Sequence, residues 1–281
     1  MKISVSLLSA YLFCPRKLFL QKVLAMKEPP KESLVLGTIR HEVYDHVNKS
    51  EEKIVSKIQG DFDYDNIIAL YKENYAKKVR EIILKNWSRI RQVNMDTVSV
   101  FKRTWPYIMH EVEERSRNIH LFMLENKVYG NELWEKLTPK ILSELKVESE
   151  SLQLRGIVDR VEIYERGYVP IELKTGKMPK EGMWPGHRIQ IAAYTLLLEE
   201  KFNKEIKECF VNYLDAGARR QLTMNPFMKE EIIELVNEIQ NLLEKKNIPT
   251  YTENRNKCVN CGLKERCHDE EEVRTLITHT T

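Results

Sequence analysis

Residues 153–174 constrain the fold of this chain more than any other stretch. Gln153-Leu154-Arg155-Gly156-Ile157-Val158-Asp159 continues through Val161-Glu162-Ile163-Tyr164 as one strand-like run. Tyr168-Val169-Pro170-Ile171-Glu172-Leu173-Lys174 is a second, with a tight turn at Glu165-Arg166-Gly167 between them. Strand side chains alternate faces, so Glu172 and Lys174 project from one side, and a hairpin brings Asp159 beside them. Two carboxylates and an ammonium meeting at strand ends form a hard-cation site with a cationic group next to it. Such a set suits metal-assisted attack of water on a phosphodiester. Taken alone, the same residues also fit a solvated sheet face.

Three further features follow the hairpin or precede it. Ile189, Ala192, Ala193, Leu196 and Leu197 recur at helical spacing, and Gln190 and Tyr194, four apart, share a face of that helix. Gly37-Thr38-Ile39-Arg40-His41 opens a second helical stretch through Val43, Tyr44 and Val47. Cys258, Cys261 and Cys267 form Cys-X2-Cys-X5-Cys in a polar segment, where Lys257, Lys264 and Arg266 favour thiolates. A tetrahedral all-thiolate site needs a fourth ligand, and Cys14 stands in Tyr11-Leu12-Phe13-Cys14-Pro15-Arg16-Lys17. Four cysteines satisfy a structural zinc as well as an iron–sulfur cluster. Cys209 lies in an apolar run and reads as a buried strand residue.

The Asp159/Glu172/Lys174 hairpin resembles the PD-(D/E)XK nuclease motif, and Gln190-X3-Tyr194 resembles the helix signature of RecB-type nucleases. Gly37-X3-His41 stands where those nucleases carry a metal-binding histidine. The N-terminal Cys-Pro-Arg-Lys string and distant cysteine triplet are similar to the iron–sulfur nucleases of the CRISPR-associated Cas-four group and their helicase-nuclease relatives. The resemblance runs from Ser6 to Cys267, with five motifs in the family's order. It implies Mg²⁺ or Mn²⁺ held by His41, Asp159, Glu172 and the Leu173 carbonyl, with Lys174, Gln190 and Tyr194 ordering water and the DNA backbone. It also implies a [4Fe–4S] cluster on Cys14, Cys258, Cys261 and Cys267. The expected substrate is single-stranded or overhang-bearing DNA, and CRISPR integrase subunits are the expected partners. Two alternatives remain: a repair or recombination exonuclease outside CRISPR, and a non-catalytic zinc-stabilised DNA-binding scaffold.

The implied fold is α/β, a restriction-endonuclease-like mixed sheet flanked by helices. The expected organisation is N-terminal helices over 1–50, a helical insertion over 51–138, the nuclease core over 139–250 and a cluster-binding segment over 251–281. The insertion, with Pro106 expected to start a helix inside it, is read as a lid or a docking surface. Beyond the thiol segment, His268–Thr281 is expected to be a poorly ordered tail. With 281 residues and 42% hydrophobic content the chain can bury a sizeable core. A net charge of +3 makes whole-protein steering toward nucleic acid feeble, so a DNA path must be local. An odd cysteine count and no signal-like leader argue against a disulfide framework and for a cytoplasmic setting. No apolar run is long enough to span a membrane.

Overall fold

The computed structural model describes residues 1–280. Six strands form one mixed sheet: β1 (Ile3–Ser4), β2 (Lys140–Ser149), β3 (Leu154–Tyr164), β4 (Gly167–Lys174), β5 (Glu208–Tyr213) and β6 (Ala218–Thr223). The β3–β4 hairpin closes through Glu165 and Arg166, with Tyr164 opposite Gly167. β2 runs antiparallel along one side of β3, while β1 joins the opening residues of β3 in parallel. β4 pairs in parallel with β5, and β5 antiparallel with β6.

Helices cover both faces. α1 (Val5–Phe13) is followed by α2 (Pro15–Lys22), with Pro15 at the first position of α2, where a missing N–H costs nothing. Next come α3 (Glu32–Lys49), α4 (Glu51–Val55), α5 (Tyr64–Lys85), α6 (Trp87–Gln92), α7 (Thr97–Asn126) and α8 (Gly130–Lys136). α9 (Pro185–Phe202) and α10 (Pro226–Lys245) flank the last two strands, and α11 (Asn256–Val259), α12 (Lys264–His268) and α13 (Glu270–Thr280) close the chain. Val5 and Leu8 of α1, Ile189 and Leu197 of α9 and Ile232 of α10 pack against Val158 and Val161 on one side of the sheet. Ile39 and Val43 of α3, with Tyr71 and Val79 of α5 and Val112 of α7, share a core with Ile171 and Leu173 on the other. Residues 51–138 therefore supply much of the layer that buries this second face.

That layer carries ions as well as apolar side chains. Arg115 of α7 donates from Nε to Glu51 at 2.5 Å, and Tyr71 Oη donates to the same carboxylate oxygen. Arg160 of β3 meets Glu111 of α7 at 3.0 Å and Glu162 at 3.0 Å. All five charged groups are buried, and a buried charge persists only when paired. The Arg160–Glu111 pair ties α7 to the strand that bears Asp159.

Two expectations are corrected. Pro106 lies inside α7, which begins at Thr97 because Asp96 caps it, accepting from the Ser99 N–H at 2.8 Å. The proline cannot donate to the carbonyl four residues back, yet buried Thr104, Ile108 and Val112 hold the helix through it. The expected loose tail is helix α13. Val273 is buried, and Leu276 and Ile277 recur beside it at helical spacing to pack on the cluster of Phe19, Leu20 and Leu24. Among the described residues no helix is long and apolar enough to cross a membrane.

Candidate active site

The site arises where β4 leaves β3. Their pairing runs from Tyr164↔Gly167 to Arg160↔Ile171 and stops there, while β4 continues on its other edge, paired to β5 through Glu172↔Val211 and Lys174↔Tyr213. β1 takes up only Leu154 and Arg155 on that edge. Residues 156–159 of β3 therefore face a notch. Asp159 spans it, its Oδ2 accepting from the Leu173 N–H at 2.8 Å.

The sequence-predicted residues gather around this notch. Glu172 is 2% exposed, and its Oε1 accepts from Lys174 Nζ at 2.8 Å and from Gln190 Nε2 at 2.6 Å. Lys174 Nζ also donates to Gln190 Oε1 at 2.8 Å. Glu172 Oε2 is buried with no hydrogen-bond partner. An orphaned carboxylate oxygen is costly to bury and marks a place for a cation or a proton. Tyr194, one turn from Gln190 on α9, lies against Gly156: a Cβ there would meet the Tyr194 ring at 2.5 Å. Any side chain at 156 would drive the ring from the notch. From the opposite side α3 brings His41, whose Nδ1 stands 3.3 Å from Asp159 Oδ1.

Electrostatics follow from burial and crowding. Burial, then the charge of Asp159, raises the Glu172 carboxyl to about 8 against the pull of Lys174. Burial opposes protonation of His41, but Asp159 and Glu172 more than offset it, and its pKa is raised. Burial and the nearby Glu172 charge raise the Tyr194 phenol, keeping it a neutral donor.

Sequence reasoning missed two residues here. Glu144 of β2 lies opposite Asp159, between the paired positions Ser143↔Arg160 and Leu145↔Val158. Its ligand atom, with one each from His41 and Asp159, falls in a group lying within 4.8 Å of one another. Glu172 is not a member of that group. Burial, then Asp159, raises the Glu144 carboxyl. The second is His187, one turn before Gln190. Its Nδ1 is 3.1 Å from Tyr213 Oη, and burial with the Lys174 charge lowers its pKa to about 4. A Glu-rich strand and a helix-start histidine carry no local signal for either position. The cleft beside the notch is lined by α3, β2, β3 and Thr175, including Thr38, His41, Glu144 and Asp159. None of its lining comes from 51–138.

The donor set fits a hard divalent cation: carboxylate oxygens, an imidazole and an unpartnered buried oxygen. The four other cysteines also converge. Cys14, Cys258, Cys261 and Cys267 line one cavity between α2 and the C-terminal segment. Burial raises the Cys267 thiol, Arg16 opposes it, and Cys14 and Cys261 are near enough to add to it. Arg16 donates to the Pro249 carbonyl at 2.8 Å and Lys257 to the Leu12 carbonyl at 3.1 Å, so the two ends of the chain are tied beside these thiols. Cys209 stands apart, fully buried in β5.

Comparison with known proteins agrees with this geometry. A CRISPR-associated exonuclease Cas4/endonuclease Cas1 fusion of Myxococcus xanthus is 32% identical over 137 residues, 47% of this chain and 24% of that protein. A CRISPR-associated exonuclease Cas4 of Francisella tularensis subsp. novicida is 30% identical over 125 residues, 44% of this chain and 61% of its own length. One polypeptide of an ATP-dependent helicase/deoxyribonuclease of Thermoanaerobacter sp. is 29% identical over 222 residues, 72% of this chain and 18% of that protein. The matches thus span less than two thirds of each relative's length. The profile of the PD-(D/E)XK nuclease superfamily matches residues 2–268, nearly the whole chain and every element that builds the notch. This chain belongs to the PD-(D/E)XK nuclease superfamily.

Proposed function

We propose that this chain is a divalent-cation-dependent deoxyribonuclease that cuts phosphodiester bonds at single-stranded ends or overhangs. The observation that carries the reading is the notch itself: Asp159, Glu172 and Lys174 meet there although the strand ladder that joins their elements has ended. His41, Asp159, Glu172 and the Leu173 carbonyl would hold Mg²⁺ or Mn²⁺. When bound, the cation polarises a phosphoryl oxygen and lowers the pKa of water.

The chain's own groups then divide the remaining work. Lys174 Nζ bridges Glu172 Oε1 and Gln190 Oε1, so its third proton is free to point at the entering water or at a phosphoryl oxygen gaining charge. Gln190 keeps both Lys174 and Glu172 in place through its two ends. Tyr194, kept protonated, offers a donor to the strand backbone. Hydrolysis forms a bond from the water oxygen to phosphorus and breaks one to the leaving oxygen, which takes up a proton.

A [4Fe–4S] cluster on Cys14, Cys258, Cys261 and Cys267 completes the proposal. What supports it is that the four cysteines line one cavity between α2 and the C-terminal segment, the thiolate count that such a cluster requires. Its work is to fasten α2 to the C-terminal segment.

The setting we favour is CRISPR spacer acquisition beside an integrase subunit, supported by the Cas4/Cas1 fusions among its relatives. A second setting, DNA repair or recombination, is favoured by the likeness to the Thermoanaerobacter helicase/deoxyribonuclease polypeptide over 72% of the chain. In both, residues 51–138 and 251–280 brace a core within 139–250. The test is cleavage of end-labelled oligonucleotides with Mg²⁺ or Mn²⁺. Asp159→Ala and Lys174→Ala should abolish cutting while leaving visible absorbance of the cluster intact. Cutting by both variants at the wild-type rate would overturn the site.

A further inference from the structure

The turn that carries the chain from Lys174 to α9 spans residues 175–184 and is fixed at several points. The Gly176 N–H donates to Asp215 Oδ2 at 2.8 Å, and Asp215 Oδ1 accepts at 2.6 Å from Arg40, the neighbour of His41. Arg220 of β6 donates to the Lys180 carbonyl at 3.2 Å. Met178 and Met183 pack into a small core with Ile191, Val211 and Tyr213. The turn thus keeps its own apolar anchors inside. Trp184, its last residue, stays outside at 46% exposure.

The other tryptophans all have partners. Trp105 stacks on Phe101 with ring centroids 5.4 Å apart, Arg91 covers Trp87 at 4.8 Å and Lys140 covers Trp134 at 5.3 Å. Among the described residues Trp184 is the one tryptophan with no ring and no cation against its indole. Its edge is nevertheless held. The Nε1–H donates to the Lys177 carbonyl at 2.8 Å and the backbone N–H to Tyr213 Oη at 3.4 Å. A large ring fastened at its polar edge and left half in water is pre-organised for a flat partner.

Its position says which partner. Tyr213 pairs with Lys174 across the β4–β5 ladder, and its Oη meets both the Trp184 N–H and His187 Nδ1, so Trp184 stands one side chain away from the end of the strand that carries Lys174. Thr175, which opens the turn, lines the cleft together with Asp159. Lys177 and Lys180 are exposed, and among the described residues neither lies within 4.0 Å of a carboxylate. An aromatic ring between two unspent ammonium groups matches a chain of flat bases on an anionic backbone.

We propose that Trp184 is the stacking platform for an unpaired base of the substrate strand beside the scissile phosphate, with Lys177 and Lys180 holding the neighbouring phosphates. The inference rests on the nuclease reading of the site and gives its single-strand preference a structural source. Stacking tolerates any sequence, because every base has a π face, and it is closed to bases inside a duplex, whose faces are already covered.

The experiment measures binding of the full chain to fluorescein-labelled oligothymidylate by anisotropy, with Ca²⁺ as the hard cation, beside the same strand carrying abasic sites in place of its bases. Trp184→Ala should weaken binding to the intact strand about tenfold, the weight of one base on an aromatic ring, and change binding to the abasic strand little. Trp184→Phe should keep most of the wild-type affinity. Trp184→Leu, apolar but not flat, should lose as much as alanine, and it serves if thermal unfolding shows that Trp184→Ala is not folded. Lys177→Gln combined with Lys180→Gln should weaken both strands and lower the logarithmic salt slope by about 1.4, which Trp184→Ala leaves unchanged. Equal losses on both strands for Trp184→Ala, or no loss on either, would overturn the platform while leaving the nuclease reading standing. A wild type that neither binds the intact strand nor cuts it in Mg²⁺ or Mn²⁺ would sink the nuclease reading itself.

Discussion

Replacing Glu172 by glutamine tests the electrostatic state of the notch while nearly preserving its shape. Burial and the Asp159 charge raise this carboxyl from the ordinary 4.5 to about 8. In metal-free protein between pH 5 and 8 the folded state therefore keeps a proton that the unfolded chain has released. That contribution to stability is fully present below the unfolded pKa and is lost as pH rises through the folded one. At about 1.4 kcal/mol per tenfold change in proton affinity the limit is about 5 kcal/mol. Water entering the open side of the cleft reduces the expected loss to about 2–4 kcal/mol. For a chain of this size that is about 5–10 °C in Tm. The assay is thermal unfolding in EDTA from pH 5 to pH 8. Wild type should lose that much relative to Glu172→Gln; His187, shifted by burial and Lys174, titrates in both proteins and drops out of the difference, whereas the part of the His41 shift owed to Glu172 is lost in the variant. Mn²⁺ added at pH 8 should restore wild type more than the variant, because the cation replaces the proton. Parallel curves for the two proteins in EDTA would refute a buried, proton-holding carboxyl.

Gly156→Ala should cost about 1–3 kcal/mol in urea unfolding, since the new methyl meets Tyr194 at 2.5 Å and Val5 at 3.2 Å, and oligonucleotide cleavage should fall with it. Arg160→Met should cost about 3–5 kcal/mol by leaving buried Glu111 and Glu162 without their shared cation, measured by the same unfolding. Val273→Asp should free α13 from Phe19 and Leu20, raising hydrogen exchange in α13 and α2 while the sheet keeps its protection.

The hairpin, α9 and the buried strand of Cys209 were legible because their signals are local: alternation, a Gly-bearing turn, helical spacing of Ile and Ala, an apolar run. The long-range meeting of Cys14 with the C-terminal cysteines was legible only through the ordered motifs of a known family. Glu144 was not legible. Its role depends on the β2–β3 register and on a left-handed backbone at φ 50°, and no window of sequence encodes either. The burial of charged residues within 51–138 was not legible either. Glu51, Glu111 and Arg115 are buried because their partners lie far off in the chain, which periodicity cannot see. The terminal helix was missed for a related reason. Its three apolar residues suffice only because α2 supplies the surface they cover.

Anomalous diffraction at the manganese edge, from crystals soaked in MnCl₂, tests the central claim most directly. The strongest peak should lie in the notch between β3 and β4, against the Asp159 carboxylate and within coordination distance of Glu172 or Glu144. Manganese bound elsewhere, with Asp159 and Glu172 ordered and bare, would contradict it.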